Sequence, residues 1–459
     1  MDERLRGTVI DGTHTSKMFD GAVFPYRIFV PDIPADEFAL VVGHDFLNEG
    51  EALAMQELAK TGEAPACIFI GVIPAKLPAT LDGGFERGLR MNTYDVFSDK
   101  YPNFIVDELV PALTKEHGLK ISESPDMHMA SGGSSGGISA WNMAWERNDY
   151  FRRVYMSSPS FLSMARGDEM VNLIRKCETK PIRVFVDYSE DEPDCYFGSS
   201  FCVAEASIRA LRYAGYEMMS DYHPGEGHCS RHTSYEDALV RMRFLWKDWQ
   251  TEPVTVKKFS ERVERVVSVG DMWEWCDGDF CDRVTVFPML KGYVHTDKEV
   301  ILLPEENGGK GTVVADGFDA ITRIRLSSDK WRMYIADKRR GCVYATTINP
   351  DGTLGGVYTH GALHHKTDFR YPGAFDICVD NEDRVYAATE IGIQCIRSFG
   401  LIDVILENPC GRHADKITVG NDGYLYAVYG HNCYRRKLNG KAAPHPTEKN
   451  EPKQVWYYD

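Results

Sequence analysis

The feature that most limits what this chain can fold into is the run Met127–Ala140, Met-His-Met-Ala-Ser-Gly-Gly-Ser-Ser-Gly-Gly-Ile-Ser-Ala, which contains Gly132-Gly133-Ser134-Ser135-Gly136. This is G-x-S-x-G. Ahead of it, Asp126–Ala130 alternates and ends in small residues as a buried strand does; behind it, Ile138–Arg147 is patterned as a helix. A strand that turns this sharply into a helix brings the two backbones close together, so a Cβ at Gly132 or Gly136 would collide with its neighbour. The central serine is then held in a strained conformation with its hydroxyl exposed, the geometry of a nucleophile elbow. A flexible Gly/Ser turn produces the same string, so the rest of the chain has to decide between the two.

The surrounding order predicts an α/β fold. Runs around Gly7–Asp11 and Ala22–Val30 read as an opening hairpin. Phe38–Gly43 is a continuous apolar strand, followed by His44-Asp45-Phe46, a helix over about Glu49–Thr61 and a second buried strand, Cys67–Val72. Apolar strands that alternate with helices indicate a parallel sheet covered on both faces. Residues 75–97 read as a long loop of the functional kind, and Phe104–His117 as an amphipathic helix. After the elbow come strands at Arg153–Ser157 and Ile182–Tyr188, the acidic loop Ser189-Glu190-Asp191-Glu192-Pro193-Asp194 and a helix over roughly Phe201–Ala214. A strand near Glu217–Tyr222 then runs into His223-Pro224-Gly225-Glu226-Gly227-His228, and a helix over about Thr233–Trp249 closes the unit.

A serine hydroxyl is a poor nucleophile at neutral pH unless a base lies within hydrogen-bond reach and a third group fixes that base's tautomer. In this kind of fold the partners follow in the order Ser, Asp/Glu, His. The chain supplies that order with Ser134, the acidic cluster 187–194 and His228. Asp191 is the candidate acid, with Asp187 and Glu192 as competitors; His223 and His232 rival His228. An oxyanion hole needs two backbone N–H groups: that of Ser135, and that of Asp45 or Phe46 from the loop after the Phe38–Gly43 strand.

Composition narrows the partners. The 459-residue chain carries 68 acidic against 52 basic residues, a net charge of −16. A field of that sign repels phosphate backbones and anionic lipid, which excludes nucleic-acid and membrane-surface binding as expectations. No run of about 18 apolar residues is present, and the first residues, Met-Asp-Glu-Arg-Leu-Arg-Gly, lack the apolar core of a signal peptide. Twelve cysteines without framework spacing suit a reducing compartment, so a cytoplasmic location is expected.

Several segments together resemble a known family. Asp107-Glu108-Leu109-Val110-Pro111, the elbow, Ala144-Trp145-Glu146-Arg147, Phe151-Arg152-Arg153-Val154, Ser157-Ser158-Pro159-Ser160-Phe161, Ala210–Tyr216 and Gly227-His228 are similar to the enterochelin esterase/esterase D type of esterases. That group includes feruloyl and acetyl-xylan esterases, and the likeness spans roughly residues 8–250. It implies an α/β-hydrolase fold with Ser134 as nucleophile and His228 as base. The family's Gly-x-x-Asp acid falls on Tyr188-Ser189-Glu190-Asp191, which implies Asp191. The chain departs from the pattern at Arg90-Met91-Asn92-Thr93-Tyr94, where Thr93 stands in an acidic place, and at His44-Asp45, where the family has Asp-Gly. Both departures lie where substrate would be met, so His44, Arg90 and Tyr94 are the expected substrate-binding residues.

After Trp249–Pro253 helical patterns vanish, and short strands with Gly/Asp turns take over. An imperfect repeat runs through Ile324–Asp337, Ile377–Thr389 and Ile417–Tyr429, each a strand, a polar turn and a strand at near-blade spacing. With Asn349-Pro350-Asp351-Gly352 and Gly392-Ile393-Gln394, this resembles the gluconolactonase/regucalcin type of β-propeller over about 310–440. About four or five blades of roughly 40–45 residues fit. The family's metal positions are altered: Thr322-Arg323 and Phe375-Asp376 stand where Asn-Gly and Asp-Gly are usual. Asp277-Gly-Asp279-Phe-Cys-Asp282 lacks the twelfth-position ligand of a Ca²⁺ loop and reads as a polar turn. Cys276, Cys281, His364 and His365 contain no Cys-x-x-Cys pair to support zinc.

The sequence therefore predicts an α/β-hydrolase domain over 1–250 followed by an all-β, propeller-like domain over 251–459. The expected activity is metal-free and cofactor-free serine hydrolysis of a small ester: an acylated sugar, a hydroxycinnamoyl ester or a siderophore-like trilactone. A metal-dependent sugar lactonase and a non-catalytic carbohydrate-binding protein are the alternatives, and the second domain could serve homo-oligomerisation.

Overall fold

The alternating apolar runs of the first half close into one twisted sheet. In the computed structural model, which describes residues 2–276, 292–304, 309–420 and 422–439, the chain forms two units. The first comprises residues 1–175 and 179–258, the second 176–178 and 259–459.

In the first unit β1 (Gly7–Thr15) and β2 (Val23–Pro31) form the expected hairpin. β3 (Ala39–His44), α1 (Glu49–Thr61) and β4 (Cys67–Val72) follow as read, with β4 antiparallel to β2 and parallel to β3. β5 (His128–Gly133), β6 (Arg153–Ser157), β7 (Arg183–Asp191) and β8 (Glu217–Gly227) continue in parallel, giving the order β8-β7-β6-β5-β3-β4-β2. β3, β4 and β6 are buried almost throughout, as strands covered on both faces must be. α2 (Ser135–Glu146) and α3 (Ser200–Ala214) lie between strands, and α4 (Tyr235–Leu245) follows β8. The helix expected over Phe104–His117 begins at Lys100 and is widened by a π-helical stretch, Phe104–Leu109, just ahead of Pro111, whose missing N–H breaks the regular ladder.

A buried polar network joins these elements. Asn48 caps α1 by accepting the Glu51 N–H, and its amide nitrogen donates to Glu51 Oε1 at 3.0 Å and to His232 O at 2.9 Å. Glu51 Oε1 also accepts the Ser131 hydroxyl of β5 at 2.8 Å and lies 3.7 Å from Arg241 Nη2 of α4, both side chains being fully buried. Arg241 in turn donates to His232 O at 2.6 Å and lies over the Tyr155 ring of β6 at 4.2 Å. Burial, opposed by Arg241 and Ser131, pushes the Glu51 carboxyl up to about 7.

The division falls beyond the expected residue 250. Val254 is buried and its N–H donates to Asp126 Oδ1 at 2.7 Å, which keeps the segment with the first unit through Lys258. Residues 176–178 count with the second unit, where Glu178 accepts the Glu407 N–H at 2.9 Å and pairs with Arg436 at 2.7 Å.

The described part of the second unit is almost all β. Tyr293–His295, Val300–Leu302 and Thr312–Ala315 make a three-stranded sheet. Ile321–Leu326, Arg332–Asp337, Cys342–Thr347 and Tyr358–Ala362 make a four-stranded one; so do Asp376–Val379, Val385–Thr389, Gly392–Ile396 and Ile402–Leu406. In the last sheet Lys416–Val419, Tyr424–Tyr429 and Asn432–Lys437 are completed by Glu274–Cys276 from the start of the unit, with Trp275 opposite Tyr434. The three repeats expected from sequence are the first hairpins of three of these sheets. Among the described residues no helix is long and apolar enough to cross a membrane.

Arg241→Met would strand the buried Glu51 carboxylate and is expected to lower stability by about 3–5 kcal/mol in urea titration at about pH 8. Because the raised Glu51 carboxyl takes up a proton as pH falls, the loss should be smaller at about pH 5. A pH-independent loss would show that the carboxylate is not what the arginine balances.

Candidate active site

β5 ends at Gly133 and α2 begins at Ser135, leaving Ser134 between them at φ 56° and ψ −125°. Few L-residues adopt a positive φ, and Ser134 is held there from several sides. Its N–H donates to Ser157 O at 2.9 Å, while its carbonyl accepts the N–H groups of Gly137 and Ser160 at 2.9 and 3.1 Å. The turn is possible because a Cβ on Gly132 would lie 2.2 Å from Gly136 O, and one on Gly136 would lie 2.9 Å from the His44 Cβ. Ser134 Oγ shares a 3.1 Å hydrogen bond with Ser160 Oγ. The Ser135 amide is the first of α2 and has no carbonyl within the helix to bond.

His228 lies on the loop that leaves β8, and its Nδ1 hydrogen-bonds the Glu192 carboxylate. This corrects the expected pairing with Asp191. β7 runs through Asp191, which stays in the ladder opposite Gly227 with its side chain exposed; only at Glu192, ahead of Pro193, has the chain left the strand and can turn its carboxylate inward. Asp187 is occupied elsewhere, accepting the Tyr155 hydroxyl at 2.6 Å in a buried place that raises its carboxyl. Of the rival histidines, His232 packs on Tyr155 with ring centroids 5.6 Å apart, and burial beside Arg241 lowers it to about 3; His223 is buried on β8. Burial opposes charge on His228, but hydrogen bonds with the Cys229 thiol and Glu192 outweigh it and lift the imidazole to about 10. Burial likewise opposes charge on Glu192, yet bonds from His228, Ser158 and the Ser189 N–H hold it below the ordinary carboxylate range.

Ser134 and His228 are joined through one segment rather than directly. Ser157 O, which accepts the Ser134 N–H, also accepts the Cys229 thiol at 3.6 Å, and Cys229 N–H donates to Ser158 Oγ at 3.1 Å. Among the described residues Ser134 Oγ bonds Ser160 and forms no hydrogen bond with His228. Such bonds commonly tighten only when substrate is present.

On the opposite side, Asp45 and Phe46 do not stand as equals for the oxyanion hole. The Asp45 N–H is committed to Val72 O at 2.8 Å and meets Tyr94 Oη at 3.3 Å, which leaves the Phe46 amide as the candidate. Of the three expected substrate-binding residues, two are buried. His44 is buried with Nδ1 on Ser131 O at 2.8 Å, and burial lowers it to about 4. Tyr94 is buried with its hydroxyl on Val72 O at 2.9 Å. Both brace the loop from within. Arg90 is half-exposed, paired with the Asp45 carboxylate and lying 5.1 Å from the Tyr94 ring centroid, and is open to a ligand.

Sequence reasoning missed several residues here. The acid absent at Thr93 has a counterpart two residues on: the buried Asp95 carboxyl, which burial raises to about 6 against a hydrogen bond with Ser135. Ser158 and Ser160 stand in the sequence reading only within the Ser157–Phe161 segment of the family likeness, and Cys229 is not singled out there. The available signal was the serine-rich run directly after a strand of the sheet.

In the second unit Arg323 and Asp376, the residues where the sequence reading sought metal positions, form an ion pair. Arg323 Nε donates to Asp376 Oδ1 at 2.6 Å, and Asp376 Oδ2 accepts the Ile417 N–H at 2.9 Å, so one buried carboxylate ties three sheets. Cys276 lies in the sheet with Asn432–Lys437, whereas the His364 N–H bonds Gln394 at 3.0 Å. Among the described residues no three His, Cys, Asp or Glu side chains converge as a metal-ligand set. Asp277, Asp279, Cys281 and Asp282 lie outside the described residues.

Comparison with known proteins locates the likeness in the first unit. Residues 39–207 match the family model described as "Putative esterase". Among solved structures, enterochelin esterase from Shigella flexneri is 16% identical over 51% of this chain and 57% of its own, with a TM-score of 0.40. An S-formylglutathione hydrolase from Agrobacterium tumefaciens is 14% identical over 55% of this chain and 97% of its own, at 0.39. A ferulic acid esterase from Anaeromyces mucronatus is 15% identical over 55% and 97%, at 0.40. No curated protein matches. The family match identifies the enzyme class as carboxylic ester hydrolase.

The His228 imidazole is expected to titrate well above histidine's ordinary 6.5, as followed by NMR, and Glu192→Gln should bring it down by removing the negative partner. Asp191→Asn should leave it unmoved. A shift in the second variant instead of the first would return the acid's role to Asp191.

Proposed function

We propose that the first unit cleaves carboxylic esters through an acyl-enzyme on Ser134. The observation that carries this reading is the strained backbone of Ser134, tied through the 157–160 segment to the loop that bears the His228–Glu192 pair. Neutral His228 takes the hydroxyl proton on Nε2 as Ser134 Oγ attacks the carbonyl carbon, and Glu192 keeps the other proton on Nδ1. The amides of Ser135 and Phe46 receive the developing oxyanion. His228 then returns the proton to the departing alkoxide, and water repeats the sequence to free the acid. Because His228 must be neutral to act, its raised titration predicts activity that keeps climbing above neutrality.

The substrate is read as a small ester of the acylated-sugar, hydroxycinnamoyl or siderophore-like kind. Tyr196 and Phe197 support a ring-bearing group: they cap the short hairpin after Glu192 with ring centroids 3.9 Å apart, and Tyr196 is 91% exposed. The second unit is read as propeller-like, from its successive antiparallel sheets and the closure of the last one by Glu274–Cys276. A lactonase metal centre in that unit is disfavoured by Arg323, which holds the Asp376 carboxylate.

Hydrolysis of p-nitrophenyl acetate and methyl ferulate tests the reading. Ser134→Ala is expected to lower kcat by about 10³-fold or more, and EDTA to change nothing in the wild type. Activity that survives in the variant and disappears with EDTA would move the chemistry to the second unit.

A further inference from the structure

We propose that Ser158 is a positioning residue that aims the acid–base pair, its single hydroxyl fixing Glu192 on one side and the residue after His228 on the other. The inference rests on the hydrolase reading above. Ser158 is 2% exposed and follows β6 at φ 44°. Its N–H is fixed on Asp187 O at 2.7 Å. Four non-glycine residues with positive φ line this site: Asp45 at 72°, Ser134, Ser158 and Cys229, the last at 55°. Strain of this kind persists only where the surroundings over-determine it.

The hydrogen-bond inventory gives the hydroxyl a direction. A serine has one proton to donate. Ser158 Oγ accepts the Cys229 N–H at 3.1 Å, so its own proton goes to Glu192 Oε1. That oxygen also accepts the Ser189 N–H at 3.1 Å. With Oε1 held by two donors, Oε2 is the oxygen that faces His228 Nδ1. The carboxylate cannot swing away without breaking both bonds, and the imidazole is kept in the tautomer that leaves Nε2 for Ser134. Removing the hydroxyl leaves Glu192 Oε1 held by the Ser189 N–H alone and releases the Cys229 amide at the same time. Ser158 thus acts through Glu192 and His228 and touches no reacting atom.

Ser158→Gly is the suitable variant, because glycine keeps the positive φ without strain; Ser158→Ala serves as the second. On p-nitrophenyl acetate each should lower kcat about tenfold to a hundredfold, with KM within about twofold. In a Glu192→Ala background the same change should cost clearly less than in the wild type, since only the contact with the Cys229 amide remains to be lost. Equal losses in both backgrounds, or a loss confined to KM, would overturn the proposal. The NMR signal of the His228 Nδ1 proton gives a readout independent of turnover and should shift or broaden in Ser158→Gly; an unchanged signal would overturn it as well. A wild type without ester turnover would defeat the hydrolase reading, while the NMR comparison would still decide the role of Ser158.

Discussion

Everything around the site depends on a steric constraint at the end of one strand. β5 can turn into α2 within one residue only because Gly132 puts no Cβ against the Gly136 backbone and Gly136 puts none against His44, and the residue at that turn takes a positive φ. A serine in such a conformation would relax if left alone. The molecule prevents this by threading Ser157–Ser160 across the turn, where it bonds the backbone of Ser134 at both its N–H and its carbonyl. The same short segment then reaches Glu192 and Cys229, so the group that secures the strained serine also aligns the histidine loop. Beneath it, Asn48 and Arg241 both bond His232 O, fixing the far end of that loop to α1 and α4.

Much of this was legible before any coordinates. The alternation of apolar strands and helices is a one-dimensional pattern with a direct structural meaning, and the elbow motif, β3, α1 and β4 follow from it. The carboxylate that meets His228 was not legible, because the choice among Asp187, Asp191 and Glu192 turns on where β7 stops. A strand's end depends on its neighbour: Asp191 stays in the ladder because Gly227 lies opposite. Burial was equally hidden. His44 and Tyr94 look like ligand-binding residues in a row of letters, yet both turn inward to carbonyls, on Ser131 and Val72, that belong to the sheet core. The hydroxyl of Ser158 is ordinary in sequence and gains meaning only from what stands on each side of it.

The second unit shows the same division. Its hairpins could be read because each is local, a strand, a polar turn and a returning strand within a few residues. The Arg323–Asp376–Ile417 link could not, since it joins side chain to side chain and to backbone across three sheets. There the guanidinium supplies the positive charge that a buried carboxylate demands.

The pairing of Glu274–Cys276 with Asn432–Lys437 has a consequence for how this half of the chain is made. The first strand of the unit leaves the ribosome long before its partner, and until Cys433 and Tyr434 appear it has no edge to join. During that interval the nascent chain carries an unpaired strand with Trp275 upon it, while the last sheet stays short by one member. Contacts of such sequence separation close slowly and late, so the moment of greatest exposure to misassembly falls just before synthesis reaches the end of the final sheet. A sheet that pairs an early strand with a late one gains a latch in the finished protein, and must wait for that latch while it is being built.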